Sequence, residues 1–339
     1  MEKHNDDISF SKKVWIATGI VALTVIVLLI LRATFNVLLL ILAGSLIALY
    51  FRGLSSLLQR KLHLSPKLSL PIAIIGSLIL LGLFFWLAGN RISGQVEQLS
   101  QTLPSTIDKA RQQINQFPIG KKIMESISSQ GNVEKASATA RRFFSSTFGV
   151  LGDIYVVLFL GLFFTAAPGS YVGGVIKLFP NNARPRAHDV VSKVGVTLTK
   201  WLKGQLFSML VVAVLTATGL FIIGMPMALT LALMAGLLNF IPNFGPLIAM
   251  VPAVLVGLMQ SPTTALLVAG LYILVQVLES NIITPQIQKR LIEIPPALII
   301  LAQLFMGVLS GGWGLVLATP VVAILMVVLQ ELWVKPNEK

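Results

Sequence analysis

Long apolar stretches alternate along this chain with short polar segments rich in lysine and arginine. The apolar stretches fall at 14–31, 33–51, 68–89, 147–167, 207–223 and 263–281. Two longer ones, 226–259 and 296–333, are interrupted by glycine and proline. A helix of about 18 or more apolar residues can cross a hydrocarbon core about 30 Å thick. The pattern therefore predicts an all-α polytopic membrane protein with about eight hydrophobic segments. Residues 1–89 form the N-terminal helices, 90–146 an extracytoplasmic helical insert, and 147–206 a fourth span with a basic cytoplasmic linker. Residues 207–339 form the C-terminal unit, which carries both broken stretches.

Charge gives the orientation. The segment 52–67 carries Arg52, Arg60, Lys61 and Lys67 and no acid, and 168–206 carries six cations against Asp189 alone. Both are expected on the cytoplasmic side, which places both termini there too. Within 184–205, Val190, Val194, Leu198 and Trp201 recur on one helical face with lysines available for the other. That predicts a basic amphipathic helix lying along the membrane surface. In the insert, Ile92, Val96, Leu99, Leu103 and Ile107 recur at three and four, the spacing of a helix with one apolar face.

The stretch "GLLNFIPNFGPLIAMVP" at 236–252 breaks an otherwise apolar run. Residues 226–240 are too short to cross as a helix, and so are 246–259. A kinked span and a re-entrant hairpin are both open, and the positive-inside rule favours the hairpin because it leaves Lys289 and Arg290 in the cytoplasm. Freed backbone groups at that depth must face protein or a wet cavity. A second copy strengthens the reading. "PMAL" begins nineteen residues before Gly245 and "PPAL" nineteen before Gly314, and Ala249 and Ala318 follow four residues later in each. Two broken segments separated by one span suggest an inverted repeat of two re-entrant hairpins, 226–259 and 296–333, whose tips line a solute site.

Composition narrows the function classes. Of 339 residues 55% are apolar and 12% charged, and the net charge is +13. The cations flank apolar spans, so anionic lipid headgroups explain them better than nucleic acid does. There is no cysteine, which removes thiol chemistry and cysteine-held metal. His4, His63 and His188 lie far apart in polar segments and read as solvated. No phosphate-binding loop, paired catalytic acids or nucleophile elbow is present, so no cofactor and no enzyme activity is expected.

Ionisable groups inside apolar spans are costly and so are candidate functional groups. Two qualify: Asp153 near the outer end of the fourth span, and Glu279 at the end of the 263–281 stretch. Glu279 can take up a proton or coordinate a cation together with Asn281. For the solute, Asn239, Asn243, Gln276, Gln303 and Ser310 offer uncharged donors and acceptors. Gly245, Gly312 and Gly314 permit close backbone approach, and Pro242 holds the tip open. Each polar residue has the plainer reading of a helix–helix hydrogen bond.

"WLKGQL" (201–206), "GMPMALTLALMAGLLNFIPNFGPLIAMVPAVL" (224–255), "ESNIITPQI" (279–287) and "PPALIILAQLFMGVLSGGWGLVLATPVVAIL" (295–325) resemble the autoinducer-2 exporter family of bacterial permeases. The resemblance implies an eight-helix inner-membrane transporter that exports a small polar solute such as autoinducer-2, with proton coupling as an option. It also implies a homo-oligomer, a pentamer being one state left open. Monovalent cation/proton antiport and a non-transporting membrane scaffold are the alternatives. The family's charged stretch after the fourth span is replaced here by "FFTAAPGSYVG" (163–173), which weakens any coupling role there.

Overall fold

A computed structural model describes residues 10–84, 86, 147–285 and 295–335. The expected insert at 90–146 and the Lys289–Arg290 segment lie outside the described residues. All described elements are helical: α1 Phe10–Leu62, α2 Pro66–Phe84, α3 Thr147–Ala166, α4 Pro168–Lys177, α5 Arg184–Ile223, α6 Ala228–Leu238, α7 Phe244–Gln260, α8 Pro262–Leu278 and α9 Pro296–Leu329. Helices are what apolar spans must form, because hydrocarbon offers the backbone no hydrogen-bond partner.

By length and composition, five stretches can cross a membrane: Thr34–Leu62, Pro66–Phe84, Arg184–Ile223, Pro262–Ile283 and Ala297–Val334. A sixth arises if α3 and α4, bent by 93° at Ala167, act as one broken span. The expected count of about eight segments is therefore not reproduced. One reason is that 14–31 and 33–51 are one helix, α1, unbroken at Arg32. A single charge does not stop a helix, and no proline occurs between residues 10 and 62. Likewise, 184–205 is not a separate surface helix. It continues into the following span as α5, whose Leu198, Trp201 and Leu202 are buried.

Contacts give the helix directions. Tyr50 and Ser55 of α1 hydrogen-bond Ser77 and Ser69 of α2, so these two are antiparallel. Gly44 of α1 abuts Leu160 of α3 and Arg52 reaches Thr165, so α1 and α3 run parallel. At the end of α5, Gly224 takes the left-handed conformation (φ 76°) and Met225 N–H bonds Leu220 O at 2.9 Å, a glycine-capped stop. The chain then reverses: Gly236 of α6 packs on Ala213 of α5 and Asn239 meets Ser208.

Two helical hairpins follow. α6 and α7 fold back at 239–243, and Leu231, Ala235, Ala249 and Ala253 share one buried core. α9 is itself two limbs broken at Gly311 (φ 59°, ψ −135°). Ile299 packs with Val322 and Ala323, which a straight helix would hold about 35 Å away. The hairpins open toward opposite ends of the molecule. The α6–α7 tip lies beside Trp201 and Ser208, while its base adjoins Ile223. The closing end of the α9 hairpin lies at Lys193, which pairs with Glu331 at 2.6 Å. Its tip instead reaches Asp153, twelve residues or about 18 Å along α3 from Thr165.

Packing uses small side chains, as expected where lipid is as apolar as the helix surface. The first core gathers α5 to α8 around Ala228, Leu231, Ala235, Ala249, Ala253 and Val268. The second joins α1, α3, α5 and α9 through Leu39, Leu46, Val157, Trp201, Met306 and Ala318. α5 contributes to both. Large apolar residues face outward, among them Ile222 (82% exposed) and Val308 (87%), the surface a bilayer would cover.

Candidate functional site

The tip of the α6–α7 hairpin is conformationally unusual. Asn243 has φ 67° and ψ −44°, and Phe244 N–H donates to Pro242 O at 2.8 Å. This is a γ-turn of the rare strained hand, which persists only when its surroundings hold it. Gln303 of the first α9 limb does so. Its Nε2 donates to Pro242 O at 2.8 Å, and its Oε1 accepts from Asn243 Nδ2 at 3.3 Å. Gln303 is fully buried. The two hairpins therefore meet through one amide and one strained turn. Replacing Gln303 with leucine leaves Pro242 O and Asn243 Nδ2 without this partner, and a loss of about 1–3 kcal/mol is expected by thermal unfolding.

Beside the tip lies a buried carboxylate. Glu279 opens a π-helical turn, Glu279–Ile283, at the end of α8, a distortion often found at functional positions. Its Oε1 accepts from Ser208 Oγ at 3.0 Å and from Thr284 Oγ1 at 2.7 Å. Ser208 Oγ in turn accepts from Asn239 Nδ2 at 3.1 Å, and Gln205 Nε2 donates to Asn239 O at 2.7 Å. Asn239 Oδ1 is buried with no partner. Among the described residues no cation pairs with Glu279.

Of the residues expected from sequence, the structure brings Asn239, Pro242, Asn243, Gln303 and Glu279 together through these bonds. Asn281 is not part of the cluster. It is exposed, and its Nδ2 bonds Val277 O one turn back, so it does not share a ligand position with Glu279. Among the described residues Gln276 reaches the cluster through Ser280, whose hydroxyl lies 3.5 Å from Glu279 Oε2. Asp153 lies at the other tip, where its Oδ2 accepts from Trp313 Nε1 at 2.7 Å. Ser310, half-buried there, has a hydroxyl with no partner.

The glycines divide by role. A Cβ on Gly245 would lie 1.8 Å from Leu238 O, and one on Gly314 1.9 Å from Met306 O. Each lets the second limb of a hairpin start against the last turn of the first. Gly312 has open space instead, and the residue with positive φ is its neighbour Gly311. Sequence reasoning missed Ser208, Trp313 and Gly311. Gln205, Ser208 and Thr216, which share one face of α5, were the available signal for Ser208.

The Asp153–Trp313 bond joins α3 to the α9 tip, and removing it tests whether that tip is held from outside its own hairpin. Trp313→Phe keeps the ring packing, so a loss of about 1 kcal/mol is expected in thermal unfolding, with Asp153→Asn giving less.

The sequence matches the model of the AI-2E family transporters over residues 19–333. YrrI of Bacillus subtilis (strain 168), named as a candidate transport protein, is 35% identical over 152 residues, 45% of this chain and 43% of that protein. YueF of the same organism, named likewise, is 32% identical over 184 residues, 53% of this chain and 50% of YueF. MT0215 of Mycobacterium tuberculosis (strain CDC 1551 / Oshkosh), again named as a candidate transport protein, is 29% identical over 286 residues, 80% of this chain and 78% of its own. The matched region thus spans about half the length of YrrI and YueF. With the family match reaching from α1 to the end of α9, this multi-pass helical membrane protein belongs to the AI-2E transporter family.

Proposed function

We propose that this chain is a secondary transporter exporting a small polar metabolite such as autoinducer-2, with the two helical hairpins entering the membrane from opposite faces as an inverted repeat. The observation that carries the proposal is the meeting of the strained Pro242–Asn243 turn with the buried Gln303. Broken backbone at depth marks a solute site when uncharged polar groups face it, and here those groups bridge the two hairpins. Rocking the hairpins against α1 to α3 would open the passage to one side and then the other. Ser310 and the Trp313–Asp153 bond stand at the second tip, where they would close it. In this reading the Leu62 end of α1, the Arg184 end of α5 and the Glu331 end of α9 are cytoplasmic, and the single helix α1 puts its Phe10 end on the opposite face, correcting the expectation of two cytoplasmic termini. The membrane is the bacterial inner membrane, and the chain assembles as a homo-oligomer.

Glu279 supplies the coupling. Its carboxylate is buried and held by two hydroxyls beside the hairpin contact, where an intramembrane acid is a functional candidate. A second reading, exchange of a monovalent cation for protons, is favoured by the oxygen-rich shell of Glu279, Ser208 and Thr284 beside the unpartnered Asn239 Oδ1.

The chain contains no cysteine, so single cysteines report cleanly. Cysteine at 243 is expected to react with a membrane-impermeant reagent from the cytoplasmic side, and cysteine at 312 from the outer side. Labelling of both from one side would sink the inverted arrangement. Flux of small polyols, sugars and cations in sealed vesicles under an imposed pH gradient separates solute export from cation exchange.

A further inference from the structure

A cavity of about 420 Å³ lies away from the hairpin contact, between α1, the α3–α4 elbow, α5 and the second limb of α9. This falls in the size range of small-ligand pockets. Its walls are almost wholly apolar, with Leu38, Leu42, Val172, Val194 and Ile324 among them, and its lining includes one charged residue, Arg52, and no acid. Apart from Arg52 and the Ser45 and Tyr171 hydroxyls, such a lining gives a small polar solute nothing to bond. From Leu38 to Arg52 the cavity follows α1 for fourteen residues, about 21 Å, which is about two thirds of a hydrocarbon core about 30 Å thick.

The cation stands at one end of this apolar slot. Arg52 Nε donates to Thr165 O at 3.1 Å, which fixes the guanidinium at the elbow where α3 turns into α4. Among the described residues no acceptor engages its terminal nitrogens. α4 leaves α3 at 93°, so it runs along the membrane plane if α3 crosses it, and Lys177 lies in its last turn. A long apolar slot, parallel to the spans and ending in a cation at a membrane-plane helix, has the polarity of a phospholipid.

We infer that this cavity binds one anionic phospholipid, with an acyl chain along α1 and its phosphate on Arg52. The guanidinium presents paired donors that match phosphate oxygens. Gly195 lines the slot, and a Cβ there would meet nothing within 4 Å. A side chain added at 195 therefore starts into the slot without a clash at its Cβ, and the site can be blocked without touching Gln303 or Glu279.

The test uses the full chain in detergent, incubated with dioleoylphosphatidylglycerol or dioleoylphosphatidylcholine, with lipid retained after gel filtration counted by mass spectrometry. The wild-type chain is expected to keep about one phosphatidylglycerol and to favour it about fivefold over phosphatidylcholine, as one cation near the headgroup provides. Arg52→Gln should abolish the preference, and Gly195→Leu should remove most of the retained lipid. Val172→Trp, on the exposed wall of α4, provides a second filling variant if Gly195→Leu does not fold. Equal retention of the two lipids by the wild type overturns the assignment. So does undiminished phosphatidylglycerol in a filled variant whose thermal transition matches the wild type.

Discussion

Alanine at Gly245 or Gly314 is expected to cost about 3 kcal/mol or more and to abolish solute flux, because each added methyl meets a backbone carbonyl oxygen rather than a side chain. Leu238 O and Met306 O belong to the last turns of the preceding limbs and cannot retreat without unwinding them. The clash at Gly219 is different in kind, since the atoms it meets are the flexible end of Leu271. Gly174→Ala provides a control, having nothing within 4 Å, and should change stability by less than about 1 kcal/mol. Gly312→Ala should likewise fold. Thermal unfolding in detergent, read beside vesicle flux, checks all four. A folded and active Gly245→Ala chain would show that the limbs do not meet as described.

Glu279→Gln separates charge from packing. The glutamine carbonyl can still accept from Ser208 and Thr284, so a stability change within about 1 kcal/mol is expected. What it removes is the capacity to hold and release a proton. Flux driven by an imposed pH gradient should fall by at least about tenfold, the equivalent of about 1.4 kcal/mol, while downhill exchange of solute persists. If cation flux in the variant keeps the pH dependence of the wild type, Glu279 is not the coupling group and the antiport reading fails with it.

Much of the core was legible in the chain because glycine and proline punctuate helices by steric rules that do not depend on context. The equal spacing from Pro226 to Gly245 and from Pro295 to Gly314 matches two glycines with the same task against a carbonyl oxygen. Ala249 and Ala318, four residues on in each copy, are both fully buried. The glycine that bears the positive φ, Gly311, was not legible within the run "SGGWG", since neighbouring glycines offer the same freedom. Charge is not punctuation, and helix continuity is where the sequence expectation and the structure differ. Arg32 and the basic face of 184–205 change the solvation of a helix without interrupting its hydrogen bonds. Asn281 was placed near Glu279 by sequence distance, whereas a step of two along a helical turn sends side chains to different faces.

The position of α5 in both cores has a consequence for motion. Leu198, Trp201 and Leu202 bind it to the α1, α3 and α9 side, and Val212 and Leu220 bind it to the hairpin at its far end. A rod clamped at two points transmits tilt. A displacement begun at the Glu331–Lys193 pair is thus expected to be felt at the Asn239 turn through α5, the one element that both cores share.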